Sequence, residues 1–156
     1  MAATRLSESR AYPLTPADGF ARLLPMPLPD LFSRRYLAIP PVRETREQPP
    51  TWEAVGQTRR IVLADGGTML ETLTHVEPPL RFGYTLSELT GPLSPLATTI
   101  DGEWTVEPAG TGCRISWTWD VHPRGRLGSI AMPIFARLWH GYARQALGEL
   151  ERLLVA

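Results

Sequence analysis

From residue 54 onward the chain alternates apolar and polar positions in short runs. Strand-like segments at 55–63, 68–76, 81–88, 96–107 and 112–121 are separated by ADGG, EPP, TGP and PAGTG. Each separator is a turn signal, because glycine, proline and aspartate supply the backbone conformations that a chain reversal needs. The last run is the cleanest: Cys113, Ile115, Trp117, Trp119 and Val121 fall on one face, and Arg114, Ser116, Thr118 and Asp120 on the other. Phe82, Tyr84 and Leu86 repeat the pattern on one earlier run, and Trp104 with Val106 on another. Together these runs predict an antiparallel meander with its apolar face turned inward. Between Ser129 and Leu154 the period changes. Apolar residues at 134, 135, 138, 139, 142, 146, 150, 153 and 154 recur at spacings that mark one face of a long helix.

Ahead of the meander, SESRAYPL (7–14) predicts a first strand. TPADGFARLL (15–24) predicts a short helix, with Thr15 as N-cap and Pro16 in the first helical position. PMPLPDLF (25–32) has room for only one further turn of helix after Pro29. Val42 to Glu47 reads as an edge strand, because Pro40, Pro41, Pro49 and Pro50 punctuate both sides. A meander of this length must bury one face, and the terminal helix is the one large apolar element left to cover it. The expected architecture is α+β, one domain over residues 1–156, with a curved antiparallel sheet wrapped around the C-terminal helix and two short helices after the first strand.

VGQTRRIVLADGGTMLETLTHVEPPLRFGYTL, followed by GEWTVEPAGTGCRISWTWDV and the amphipathic helix, resembles the START-like or Bet v 1-like superfamily, in particular its polyketide cyclase/dehydrase-like group. The resemblance covers nearly the whole chain and implies a helix-grip fold with an internal cavity. Members of that superfamily include lipid and hormone carriers and aromatase/cyclase domains. The group has no invariant catalytic motif to carry over, so function must be argued from the site.

Composition narrows the chemistry. Sixteen basic and sixteen acidic residues cancel, which gives no global field toward nucleic acid or an acidic membrane. There is no lysine, which excludes Schiff-base chemistry, and no asparagine, which excludes N-glycosylation. The single cysteine, Cys113, lies in the apolar phase of its strand and reads as a small hydrophobe. The N-terminus lacks the charged-then-apolar pattern of a secretory signal, so the expected location is the cytoplasm. The most apolar segment, SIAMPIFARLWHGYA, is interrupted by Pro133, Arg137 and His140, and no membrane span is expected. Arg124 and Arg126 precede or begin the long helix, as an anion grip or as a solvated loop. His75, His122 and His140 lack metal-ligand spacing, GTG at 110–112 lacks the rest of a dinucleotide loop, and no GxSxG occurs. No metal and no cofactor is expected.

Candidate chemistry concentrates in RRIVLADGGTMLETLTH (59–75), where an arginine and a carboxylate fall in phase with apolar neighbours. A three-residue loop at Asp65–Gly67 puts Arg59, Glu71, His75 and Gln57 on the face of Ile61, Leu63, Met69 and Leu73, with Arg59 opposite Leu73. A two-residue loop shifts the pairing by one and sends Glu71 to the other face. The three-residue loop is preferred, although Leu70 and Val76 favour the other phase. An inward Arg59 and Glu71 must pair or meet water, because an isolated buried charge is too costly. Two readings follow: a solvated pair near the sheet edge, or the polar end of a ligand pocket. In the second, Arg59 receives a carboxylate, phenolate or enolate oxygen, Glu71 or His75 handles a proton, and Tyr84 and Tyr142 donate hydroxyls. Trp104, Trp117 and Trp119 would form the apolar walls.

The expected role is a carrier or sensor of a small hydrophobic or aromatic molecule, in a monomer or homodimer. The alternatives are a cyclase/dehydratase-type enzyme, and an interaction module in which the cavity is vestigial.

Overall fold

A computed structural model describes residues 2–155. The chain runs β1 (Thr4–Tyr12), α1 (Pro16–Leu23), α2 (Leu28–Leu31), β2 (Val42–Arg46), β3 (Thr58–Leu63), β4 (Thr68–Glu77), β5 (Arg81–Ser87), a 3-10 turn at Gly91–Leu93, β6 (Ala97–Ala109), β7 (Gly112–Pro123) and α3 (Gly125–Val155). Seven strands form one antiparallel sheet in the order β1-β7-β6-β5-β4-β3-β2. The consecutive strands β2 to β7 pair as a meander, and β1 closes on β7. The helix-grip expectation is met: the sheet curves around α3, and the two short helices follow β1.

The helix is held by burial. Trp139, Ala143, Ala146, Leu147, Leu150 and Leu154 are all at or below 4 % exposure, and each large apolar side chain contributes about 1.5–3 kcal/mol. Polar contacts then fix its position on β1. Tyr12 donates its hydroxyl to the Leu147 carbonyl at 2.6 Å, Arg10 pairs with Glu151, and Glu8 accepts from His140 and Arg144. The capping expectation for α1 is also met, since Thr15 Oγ1 accepts from the Asp18 amide and Pro16 opens the helix.

Several boundaries differ from the sequence reading: β3 begins at Thr58, three residues late, α2 begins at Leu28, ahead of Pro29, and β6 and β7 run on to Ala109 and Pro123. Three further differences bear on the site. β1 begins at Thr4, three residues early, because Thr4 to Ser7 pair with Val121 to Thr118. α3 begins at Gly125, with φ +62 at that glycine, so its first turns project beyond the region of strong hydrophobic periodicity. The β3–β4 loop is three residues long but lies one residue earlier, at Ala64, Asp65 and Gly66. Leu63 donates to the Gly67 carbonyl at 2.8 Å, Gly66 donates to the Leu63 carbonyl, and Gly66 supplies the positive φ (+90) that ends such a loop. Gly67 pairs with Leu63 just ahead of β4, and it must be glycine because a Cβ there would lie 2.9 Å from the Thr90 carbonyl oxygen.

Candidate ligand cavity

The shift of loop position moves the register by two. Arg59 faces Glu71, and Ile61 faces Met69, so Arg59 does not face Leu73 as the preferred register had it. A slip of two preserves the face of every side chain. Arg59 and Glu71 therefore both point inward, each only 3 % exposed.

Their geometry is that of a closed ion pair. Arg59 Nε donates to Glu71 Oε1 at 2.7 Å, and Nη1 reaches Gln48 Oε1 at 3.5 Å. The guanidinium carbon stands 4.0 Å from the centre of the Trp52 ring, an arrangement favourable to a cation in a water-poor setting. Burial pushes the Glu71 carboxyl up from its ordinary range, and Arg59 opposes that shift. Among the described residues, Arg59 Nη2 and Glu71 Oε2 carry no other hydrogen bond. The pair is neutral as a unit and leaves Nη2 and Oε2 unengaged.

It borders a cavity of about 530 Å³ enclosed by the sheet, α2 and α3. The walls are aromatic. Trp104 stacks on Trp117 at 5.2 Å, Trp117 meets Trp119 edge-on at 5.5 Å, and Trp139 of α3 lies 5.0 Å from Trp117. Phe32 fills the space between Trp117 and Tyr142. Tyr84 reaches across β6 through a slot at Gly102, where a Cβ would sit 2.1 Å from the ring. There its hydroxyl accepts from both Trp117 Nε1 (2.8 Å) and Trp119 Nε1 (3.0 Å). Desolvation pushes the Tyr84 hydroxyl well above its ordinary pKa, with Glu71 adding to the shift, so it stays protonated. Tyr142 directs its hydroxyl to the Pro40 carbonyl at 3.5 Å, and burial raises its pKa too.

Of the eight residues singled out from sequence, Arg59, Glu71, Tyr84, Trp104, Trp117, Trp119 and Tyr142 border this cavity. His75 does not. A bulge at Thr74 separates the pairs Leu73–Tyr84 and His75–Gly83, and reverses the phase of β4. His75 thereby turns to the outer face, where its ring covers Gly83 and Nε2 stands 3.8 Å from Glu103. The same bulge turns Val76, opposite Phe82, back toward the core and explains its dissenting phase. Gln57 is spent on the neighbouring loop, where Oε1 accepts from the Glu53 and Ala54 amides and Nε2 donates to the Thr51 carbonyl. Two contributors escaped the sequence reading. Trp139 was visible as part of the helical stripe; Trp52 lies in a proline-flanked loop without periodicity, and no local signal marks it. Cys113 is fully buried, which pushes its thiol up, as an inert hydrophobe requires. Among the described residues no cluster of side chains could hold a metal ion, and no helix is long and apolar enough to cross a membrane.

A single helix gripped by a curved sheet, with a large aromatic cavity between them, defines a helix-grip protein of the Bet v 1-like type. The chain belongs to the family described as polyketide cyclase / dehydrase and lipid transport, whose model matches residues 3–155. Similar solved structures include major latex-like protein 151 from Panax ginseng (13 % identity, TM-score 0.72, all of both chains). TTHA0849 from Thermus thermophilus is similar at 18 % identity and TM-score 0.70, over 97 % of each chain. Ara h 8.0201 is similar at 16 % identity and TM-score 0.63, over 95 % of this chain and 97 % of the other. At these identities the likeness is one of fold. No curated protein matches in sequence.

Proposed function

We propose that this protein binds a flat, largely apolar small molecule with one neutral polar end, as a carrier or sensor in the cytoplasm. The observation that carries the proposal is the Arg59–Glu71 pair, buried in the wall of a cavity lined otherwise by aromatic and aliphatic side chains. A hydroxyl or carbonyl can take up the free Nη2 donor or Oε2 acceptor without adding charge. A carboxylate would leave two anions against one cation in a medium of low polarity, at a cost of several kcal/mol. The structure therefore argues for a neutral guest where the sequence favoured an anionic one. Titration with 2-naphthol and 2-naphthoate, which share a ring system, tests this by quenching of tryptophan fluorescence. Saturable binding of the naphthol, with the naphthoate weaker by tenfold or more at neutral pH, is the expected result; equal affinities would sink the neutral-guest reading.

A second reading rests on Glu71 alone. A carboxyl whose pKa is raised by burial, beside an arginine able to steady an enolate, is the equipment of a proton-transfer step in a cyclase or dehydratase. Hydrogen–deuterium exchange at the methylene of a β-diketone, followed by proton NMR, separates the two. Exchange accelerated by the protein and lost in Glu71→Gln would establish catalysis, and binding without exchange leaves a carrier.

A further inference from the structure

Among the described residues seven large apolar side chains are exposed, and three of them sit together in the first half of α3: Leu127 at 79 %, Ile130 at 72 % and Ile134 at 69 %. Their spacing of i, i+3 and i+7, joined by exposed Ala131 at i+4, forms one stripe along the helix. The stripe faces away from the core, because Gly128, Met132 and Trp139 occupy the buried side. Leu127, Ala131 and Ile134 also border the cavity, so the stripe is one lip of its mouth. Exposed Ala38, Pro92 and Pro95 form part of the remaining rim. Beside Ala38 stands Leu37, 68 % exposed and held at φ +50, a conformation that leucine rarely adopts. An apolar rim continuous with an apolar cavity is not explained by folding.

Charge identifies what meets it. The chain is neutral overall, yet between Asp120 and Glu149 there is no acidic residue and there are four arginines. Arg126 and Arg137, eleven residues and three turns apart, lie along one flank of the stripe. Neither makes a hydrogen bond or ion pair among the described residues, whereas Arg124 is pinned to the Ser94 and Ala97 carbonyls. The one acidic side chain exposed at the mouth, Asp65, holds the Gly67 amide with Oδ1. A helix with an outward apolar stripe and free guanidiniums on its flank suits the boundary between acyl chains and anionic headgroups.

We propose that the first half of α3 docks on an anionic bilayer, with Leu127, Ile130 and Ile134 among the acyl chains and Arg126 and Arg137 against lipid phosphates. The cavity mouth then opens onto the membrane, and a guest passes between the two without crossing water. This docking is independent of which guest the cavity takes.

Flotation with vesicles of phosphatidylcholine, alone or mixed with phosphatidylglycerol, tests it on the full chain. The protein should float with the mixed vesicles and much less with the neutral ones, and rising salt should weaken the association. Arg126→Gln and Arg137→Gln should each lower partitioning about fivefold at low salt. Ile130→Asp should abolish it. Ile130 does not border the cavity, so this variant should melt like the parent and still bind 2-naphthol. The proposal is overturned if the parent stays in solution with both vesicle types, or if the three variants float as the parent does. It is also overturned if Ile130→Asp instead dissolves a dimer seen by sedimentation, which would give the face to a second copy of the chain.

Discussion

Arg59 and Glu71 oppose each other directly across the β3–β4 ladder, Nε to Oε1 at 2.7 Å, as the two buried charged side chains in the described part of the sheet. The pairing makes each residue a condition for the other. Arg59 lies on Trp52, and Glu71 is the member whose pKa burial pushes up.

Removing both members should therefore cost less than the two single losses added together. Arg59→Met and Glu71→Gln should each destabilise by about 3–5 kcal/mol, and the double variant by clearly less than their sum. Denaturant melting of the four proteins checks this, and additive losses would mean that the pair is not coupled.

The two single variants should also differ in pH dependence. In Arg59→Met the Glu71 carboxyl loses its counter-charge, so burial raises its folded-state pKa further above the unfolded value. A group raised in this way stabilises fully below its unfolded pKa and loses that contribution as pH rises through the folded one. The deficit of Arg59→Met relative to the parent should thus shrink as pH falls from neutrality into the carboxylate range. Glu71→Gln, which removes the titrating carboxyl, should show no such recovery.

Anionic guests should bind with proton uptake. An anion beside the pair raises the Glu71 pKa further, so the complex holds more protons than the free protein and affinity climbs as pH falls. The affinity for 2-naphthoate should rise by up to tenfold per pH unit until its own carboxyl protonates, while that for 2-naphthol stays flat. Isothermal titration in buffers of different ionisation enthalpy counts the protons.

Tyr84 anchors the aromatic wall through two indole donors. Tyr84→Phe should cost about 1–3 kcal/mol for each N–H left without an acceptor, and should shift tryptophan emission. Gly102→Ala should be at least as damaging, because its methyl would occupy the space of the Tyr84 ring. A silent Gly102→Ala variant in thermal melting would contradict the slot.

His75 provides the contrast. On the outer face and partly exposed, it should tolerate His75→Gln within about 0.5 kcal/mol. Unchanged 2-naphthol binding by this variant confirms that the bulge at Thr74 removes it from the site.

Sequence by itself determined the layers of this protein. Strict alternation in residues 112–121 puts Cys113 through Val121 on the buried face, and the three-and-four spacing after Ser129 supplies the helix that the sheet must cover. It left open whether Arg59 and Glu71 share a face, because a three-residue loop puts them together and a two-residue loop parts them. Patterning cannot fix the partner: a register slip of two leaves every face unchanged, and the choice between Leu73 and Glu71 opposite Arg59 fell to Gly66 and to the close approach of Gly67 to Thr90. Nor can it foresee a bulge, which inserts one residue and inverts the phase beyond it, as at Thr74. Trp52 over Arg59 depends on how an irregular loop folds back on the start of β3, and α3 across the mouth is a contact between segments distant in the chain, so neither follows from periodicity.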